Sequence, residues 1–157
     1  MTSVTDNAPQ TVTWSVIAAA LTPPRNYWLI TINPDGSPHV SPVWGGVYSG
    51  HFHFYTSRTT VKARNLARDG RAVIHLESAE HVVIVHGSAT DLEGPNLSSE
   101  VMAVLDGKYD QPGDGDYLPS NSESYDVLYR FRPRKALLWQ LADFEASQAR
   151  WTSTESR

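Results

Sequence analysis

Residues 27–56 read YWLITINPDGSPHVSPVWGGVYSGHFHFYT, and this stretch decides the fold. Runs of aromatic and β-branched residues are cut by Pro34-Asp35-Gly36 and by Ser49-Gly50, so the segment predicts strand, turn, strand, turn, strand. Gaps this short join antiparallel neighbours, because a parallel crossover needs a dozen residues or more.

The flanks extend the same pattern. Residues 1–10 are polar and predict a flexible N-terminus. TVTWSVIAAAL then places Trp14, Ile17, Ala18 and Leu21 at helical spacing and stops at Pro23-Pro24. Downstream, Thr59 to Asp69 has the composition of a helix, with Gly70 placed as a left-handed residue after its end. Strands are expected over Arg71–Leu76 and His81–Leu92, and a helix over Ser98–Lys108 capped by Ser98 or Ser99. DGKYDQPGDGDYLPSNSES, rich in Gly, Pro, Asp and Ser, predicts loop, and YDVLYRFRPRKALLWQLAD predicts two strands broken near Pro133. The sum is a mainly β protein: six or seven mostly antiparallel strands in a small barrel or sandwich, with short helices at its ends. The expected domain spans 11–145, followed by a tail at 146–157.

At 157 residues and 40% hydrophobic, such a chain buries roughly 70% of its unfolded surface without a staple. It has no cysteine, which excludes a disulfide framework, a thiolate zinc site and a cysteine nucleophile. A net charge of −4 argues against bulk nucleic-acid binding, so any anion site must be local. The apolar runs fall well short of the roughly 20 residues of a membrane span, and MTSVTDNAPQ lacks the plan of a leader; a cytoplasmic, soluble protein is expected.

One local site stands out in FYTSRTTVKARNL, residues 54–66. Arg58, Lys62, Arg64 and Arg68 surround the predicted helix start with no Asp or Glu among residues 58–68. Helix N-termini favour acidic side chains, so these charges suit a bound anion better than they suit the helix. Two readings follow. Ser57, Thr59 or Thr60 caps a helix with a solvated basic face, or free N–H groups, these hydroxyls and an ammonium together hold a phosphate. Lys62 and Asn65 share one helical face, Arg64 and Arg68 another.

The histidine pairs His51/His53 and His75/Glu77 each project from one side of a strand, but a metal needs three converging ligands, and no metal is expected. No catalytic signature of a nucleophile occurs, so any chemistry must come from a cofactor. Trp44, Tyr55, Trp139 and Trp151 suit either a planar ligand or core and dimer contacts, and Gly45-Gly46 after Trp44 admits close approach to the backbone.

PDGSPHVSPVW, FHFYTSRTTVKARNLARDGRAVIHL and VVIVHGSAT together resemble the flavin and deazaflavin split-barrel proteins related to pyridoxamine 5′-phosphate oxidase. The likeness runs from about Tyr27 to Leu92, and more faintly through YRFRPRKALLWQL. It implies an FMN-binding split barrel whose ring and ribityl chain border Tyr55, Thr56 and Ser57, with Thr60 and Lys62 on the phosphate. Asn65 would orient the helix or the cofactor, and His39, Ser41, Pro42, Val43 and Trp44 would line the ring. The family also implies a homodimer with cofactors at the interface, where residues near Trp139 complete the neighbour's site.

HVVIVHG and HVSPVW replace polar strands of the true oxidase, which argues against oxidation of a phosphorylated pyridoxamine. KARNLARD is more similar to the reductase branch that uses coenzyme F420. The resemblance thus implies an F420-dependent oxidoreductase that transfers hydride to an electron-poor small molecule, with His39 or Tyr55 as candidate proton donors and Arg58, Arg64 and Arg68 facing the cofactor's acidic tail. An FMN-binding oxidoreductase and a non-catalytic flavin or F420 carrier are the alternatives.

Overall fold

In the computed structural model, which describes residues 8–92, 98–121 and 124–154, residues 27–56 form four strands. These are β2 (Tyr27–Ile32), β3 (Pro38–Val43), β4 (Gly45–Tyr48) and β5 (His51–Thr56); Trp44 interrupts what the sequence presents as one middle strand. Ahead of them lie β1 (Gln10–Thr11) and α1 (Trp14–Leu21). Behind them come α2 (Val61–Arg68), β6 (Arg71–Leu76), β7 (His81–Asp91), α3 (Ser99–Lys108), β8 (Val127–Gln140), α4 (Phe144–Ser147) and β9 (Ala149–Thr152). The expected count of six or seven strands becomes nine among the described residues, because β3 and β4 separate and the short β1 and β9 pair in parallel. The sheet therefore continues past residue 145.

β8 organises the sheet. Along one edge it pairs with β7 over most of its length, and along the other it pairs first with β5 and then with β9. A strand shared in this way splits one sheet into two curved halves, and the barrel does not close. Pro133 does not end the strand, contrary to expectation. The ladder steps from Gly87↔Pro133 to His86↔Lys135, so Arg134 is an extra residue in a bulge, and proline's missing N–H falls where pairing is already irregular.

Gly87 makes this crossing possible. A Cβ there would stand 2.0 Å from the Arg132 carbonyl oxygen and 2.9 Å from the Phe131 ring. Gly70, by contrast, keeps a negative φ: the residue after α2, Asp69, is already extended and carries the chain straight into β6, so no left-handed cap forms.

The interior follows from period-two alternation. Tyr27, Leu29 and Thr31 of β2 are buried between less buried neighbours, and Phe52 and Phe54 of β5 meet them with Ile74, Val85 and Phe131. α1 plugs one end with Ile17 and Leu21. A second, smaller cluster lies outside the barrel, where Val101, Leu105 and Tyr109 of the α3 region cover Tyr55 and Leu128. No described helix is long and apolar enough to cross a membrane.

Gly87→Ala forces backbone rather than a side chain to move, so it should cost about 3 kcal/mol or more in a denaturant titration, the upper end of overpacking. Gly36→Ala meets no atom within 4 Å and is the control for its own positive-φ strain alone.

Candidate functional site

The basic segment divides once its contacts are known. Thr60 is the N-cap of α2: its Oγ1 accepts from the Ala63 N–H at 3.3 Å and donates to the Ser57 carbonyl at 2.8 Å. Ser57 and Thr59 share a hydroxyl hydrogen bond of 2.9 Å. Arg58 is engaged within the protein. Its guanidinium donates to Asp91 at 2.6 Å and its backbone N–H to Asp126 at 2.8 Å, which ties the β5–α2 junction to β7 and the start of β8. Arg68 likewise turns back, donating to the Ile32 carbonyl and to Asn65. Both guanidiniums are thus engaged within the protein; of the three arginines expected at an acidic tail, Arg64 alone stays exposed without a partner among the described residues.

Asn65 is 2% exposed and braces α2 against β2, its amide donating to Thr31 Oγ1 and Asn33 Oδ1, both at 3.1 Å. Lys62, one turn earlier on the same face, is different. Its ammonium is half-buried, has no partner among the described residues, and is pushed below the ordinary lysine range by burial.

Lys62 stands at the wall of a cavity of about 380 Å³. Pro42, Val43 and Trp44 at the end of β3, with Tyr55 and Thr56 of β5, form one side. Leu105, Tyr109, Tyr117, Leu118, Pro119 and Tyr125 form the other. Of the twelve residues expected at the site, six thus line this cavity. The other six do not line it: His39 and Ser41 share the β3 face of Val43, and Ser57, Arg58, Thr60 and Asn65 belong to the β5–α2 junction and to α2 itself. His39 Nδ1 and Ser41 Oγ are buried and unpartnered among the described residues, which is costly unless something else satisfies them. The Tyr55 hydroxyl is engaged, donating to the Ser98 carbonyl at 3.3 Å, and desolvation pushes its pKa up.

The second wall was not legible as a site in the sequence. Trp44 stacks on Tyr109, with ring centroids 4.1 Å apart and planes 6° from parallel, and Arg25 lies 4.9 Å over the Trp44 ring. The Arg25 guanidinium grips Asp114 with two bonds of 2.7 and 2.5 Å, and this hydrogen bonding holds the Asp114 carboxyl below the usual range. The loop that carries Asp114 is thereby fastened over the cavity. Behind the stack, Lys108 donates to Tyr27 Oη at 2.5 Å and to the Gly45 carbonyl at 2.8 Å. The one cue available was three tyrosines, Tyr109, Tyr117 and Tyr125, in or beside an otherwise polar loop. Among the described residues no group of three metal-ligating side chains converges.

The fold is that of a known family of split barrels. The pattern that defines pyridoxamine 5′-phosphate oxidase matches residues 14–139. The chain belongs to that family. Solved structures agree: a conserved hypothetical protein of Mycobacterium tuberculosis is 26% identical, with 85% of this chain and 88% of that one aligned at a TM-score of 0.68. An F420 reductase is 22% identical over 75% and 93% of the two chains (TM-score 0.60). The heme storage protein HutZ of Vibrio cholerae is 18% identical over 76% and 87% (TM-score 0.58). No curated protein matches the sequence.

Members of the pyridoxamine 5′-phosphate oxidase family bind flavin-type cofactors, and the residues of this member fit such a group. An uncompensated ammonium suits a phosphate, two orphaned buried polar atoms suit the polar edge of a ring, and the aromatic walls suit its faces.

Burial lowers Lys108 from 10.5 to about 8, so between those values the unfolded chain holds a proton that the folded one has released. Stability relative to Lys108→Met should therefore rise with pH across that window and level off above it, as measured by chemical denaturation from about pH 7 to 11. A flat difference would place the ammonium in water.

Proposed function

We propose that the protein is a cytoplasmic, homodimeric F420-dependent reductase of electron-poor small molecules. The observation that carries this reading is Lys62: a desolvated cation without a protein partner among the described residues, at the edge of a cavity with aromatic walls. The fold alone gains nothing from burying that charge, whereas a phosphate at the start of α2 would compensate it. Bound there, the deazaflavin would supply the hydride that reduces the substrate.

The chain's own contribution is placement and exclusion of water. Lys62, with the Ser57 and Thr59 hydroxyls, would hold the phosphate, and Asn65 keeps α2 at a fixed distance from β2. His39 and Ser41 offer unused hydrogen bonds next to Pro42 and Val43. Trp44, Tyr109 and Tyr117 wall off the space left for a flat, uncharged substrate. No described Asp, Glu or His lines the cavity, and the Tyr55 proton is committed to Ser98, so the proton needed for reduction would come from solvent or from His39.

F420 is preferred to FMN for two reasons: KARNLARD resembles the F420-using branch, and Arg64 remains available on the exposed side of α2 for an acidic tail. Dimerisation is proposed through the outer sheet face. The registers bring Trp28, Ile30, Val73, Ile84, Leu137 and Val40 to that face, and Val40 is 54% exposed.

Fluorescence titration should give saturable binding of F420 tighter than that of FMN, and Lys62→Ala should weaken F420 by about 1.5–3 kcal/mol with the fold intact. Tighter FMN binding would install the FMN enzyme instead, and binding without turnover of quinones or enones would make the protein a carrier. Saturable binding of neither cofactor ends the proposal. For the interface, Val40→Asp should shift the sedimentation coefficient from dimer towards monomer; an unchanged dimer would move the contact to another surface.

A further inference from the structure

A bowl of about 190 Å³ opens on the outer sheet face and shares no lining residue with the Lys62 cavity. Ile30 and Ile32 of β2 with Val73 of β6 form its apolar wall, and Arg71, His86 and Arg134 stand around it. Its volume is below the roughly 300 Å³ at which sites for drug-sized molecules begin, so it suits a small ligand. No aromatic ring lines it apart from the His86 imidazole, which separates that ligand from the flat molecules suited to the Lys62 cavity.

The irregularity in β8 supplies the charge. Successive residues of a regular strand point to opposite faces, but the bulge at Arg134 turns that side chain to the side of His86, which Lys135 faces across the ladder. Burial first, then the charges of Lys135 and Arg134, lower the His86 pKa, so near neutral pH the imidazole offers a ring N–H and no charge of its own. Arg71 is already engaged, its guanidinium gripping Asp69 with bonds of 2.7 and 3.1 Å. Arg134 and Lys135 have no ion-pair partner among the described residues, and the described lining holds no Asp or Glu. Two neighbouring cations repel, and an anion between them relieves the repulsion in a protein whose net charge is −4.

We propose that this bowl is a second ligand site, for a short branched aliphatic monocarboxylate whose carboxylate meets the Arg134 guanidinium and the His86 ring N–H while its hydrocarbon end rests on Ile30, Ile32 and Val73. A guanidinium presents parallel N–H donors that match the two oxygens of a carboxylate, and the aliphatic wall rewards a ligand with a hydrocarbon body over a bare anion. Ile30 and Val73 also belong to the face proposed for dimerisation, so an acidic side chain of a second copy is the rival occupant.

Isovalerate is the probe. Isovaleramide, which keeps the shape without the charge, and acetate, which keeps the charge without the hydrocarbon, are its controls. In a heteronuclear NMR titration of the full chain, isovalerate should saturably shift the amides of Val73 and Gly87 and the Arg134 side-chain N–H, while the amides of Trp44, Lys62 and Tyr109 stay in place. Each control should bind at least about tenfold more weakly, through loss of the charge-assisted contact or of the apolar one. Arg134→Gln should weaken isovalerate to the level of the amide and leave cofactor titration at Lys62 unchanged. Equal affinities for isovalerate and isovaleramide, shifts confined to the Lys62 cavity, or no saturation at millimolar isovalerate would each overturn the proposal. Binding by a Val40→Asp monomer but not by the unaltered dimer would also overturn it, in favour of a second copy's side chain. The mapping on the unaltered chain decides the matter even if Arg134→Gln fails to fold.

Discussion

Everything around the cavity depends on the absence of a side chain at Gly45. A Cβ there would stand 2.3 Å from the Phe52 ring and 2.7 Å from the His53 carbonyl oxygen, so the β4–β5 hairpin closes only over a glycine. That close approach frees both backbone groups of Gly45 for α3: its N–H donates to Tyr109 Oη at 2.9 Å and its carbonyl accepts from Lys108 at 2.8 Å. The end of α3 is thereby anchored to the strand that follows Trp44, and the Trp44–Tyr109 stack is a consequence of the anchoring. One small residue sets both the packing of the barrel mouth and the orientation of the ring that faces the ligand space.

Charge placement follows a similar rule. The chain carries a modest basic complement, and much of it ties one element to another. Arg25 clamps Asp114, Arg58 joins β5 to β7 through Asp91, and Arg71 pairs with Asp69 at the turn out of α2. The exposed pairs of Arg58 and Arg71 add little stability each, whereas the Arg25–Asp114 pair, whose carboxylate is buried, fixes the loop that carries it. Against that background a cation left uncompensated is informative, because the fold has repeatedly matched its charges elsewhere. Lys62 is such a cation among the described residues.

The strands of the barrel were readable because alternation and turn signals are local. Tyr27, Leu29 and Thr31 announce their shared face, and Pro34-Asp35-Gly36 announces the reversal after it. The break at Trp44 and the bulge at Arg134 were not readable, since both arise from how a strand meets partners far along the chain. The same division holds for the site. The α2 segment could be singled out from its own charges, but not which of its arginines were already engaged, since Asp91 lies 33 residues from Arg58. The tyrosine-bearing wall was invisible for a related reason: Tyr109 acquires meaning only when α3 is folded back on β4, 64 residues earlier.

The roof of the cavity, finally, belongs to a different class of structure from its floor. The floor is barrel, where each residue answers to a ladder and a core; the roof is a loop between α3 and β8, whose described residues are fastened by the Arg25–Asp114 ion pair, the Trp44–Tyr109 stack and a Ser120–Asp106 hydrogen bond. The described residues of that loop contribute no strand to the nine-stranded sheet. Proteins with one architecture come to serve different small molecules through such variable parts. For engineering, the segment from Gln111 to Pro119 is the part to diversify, with Arg25 and Asp114 retained as the fixed posts to which any new loop is tied.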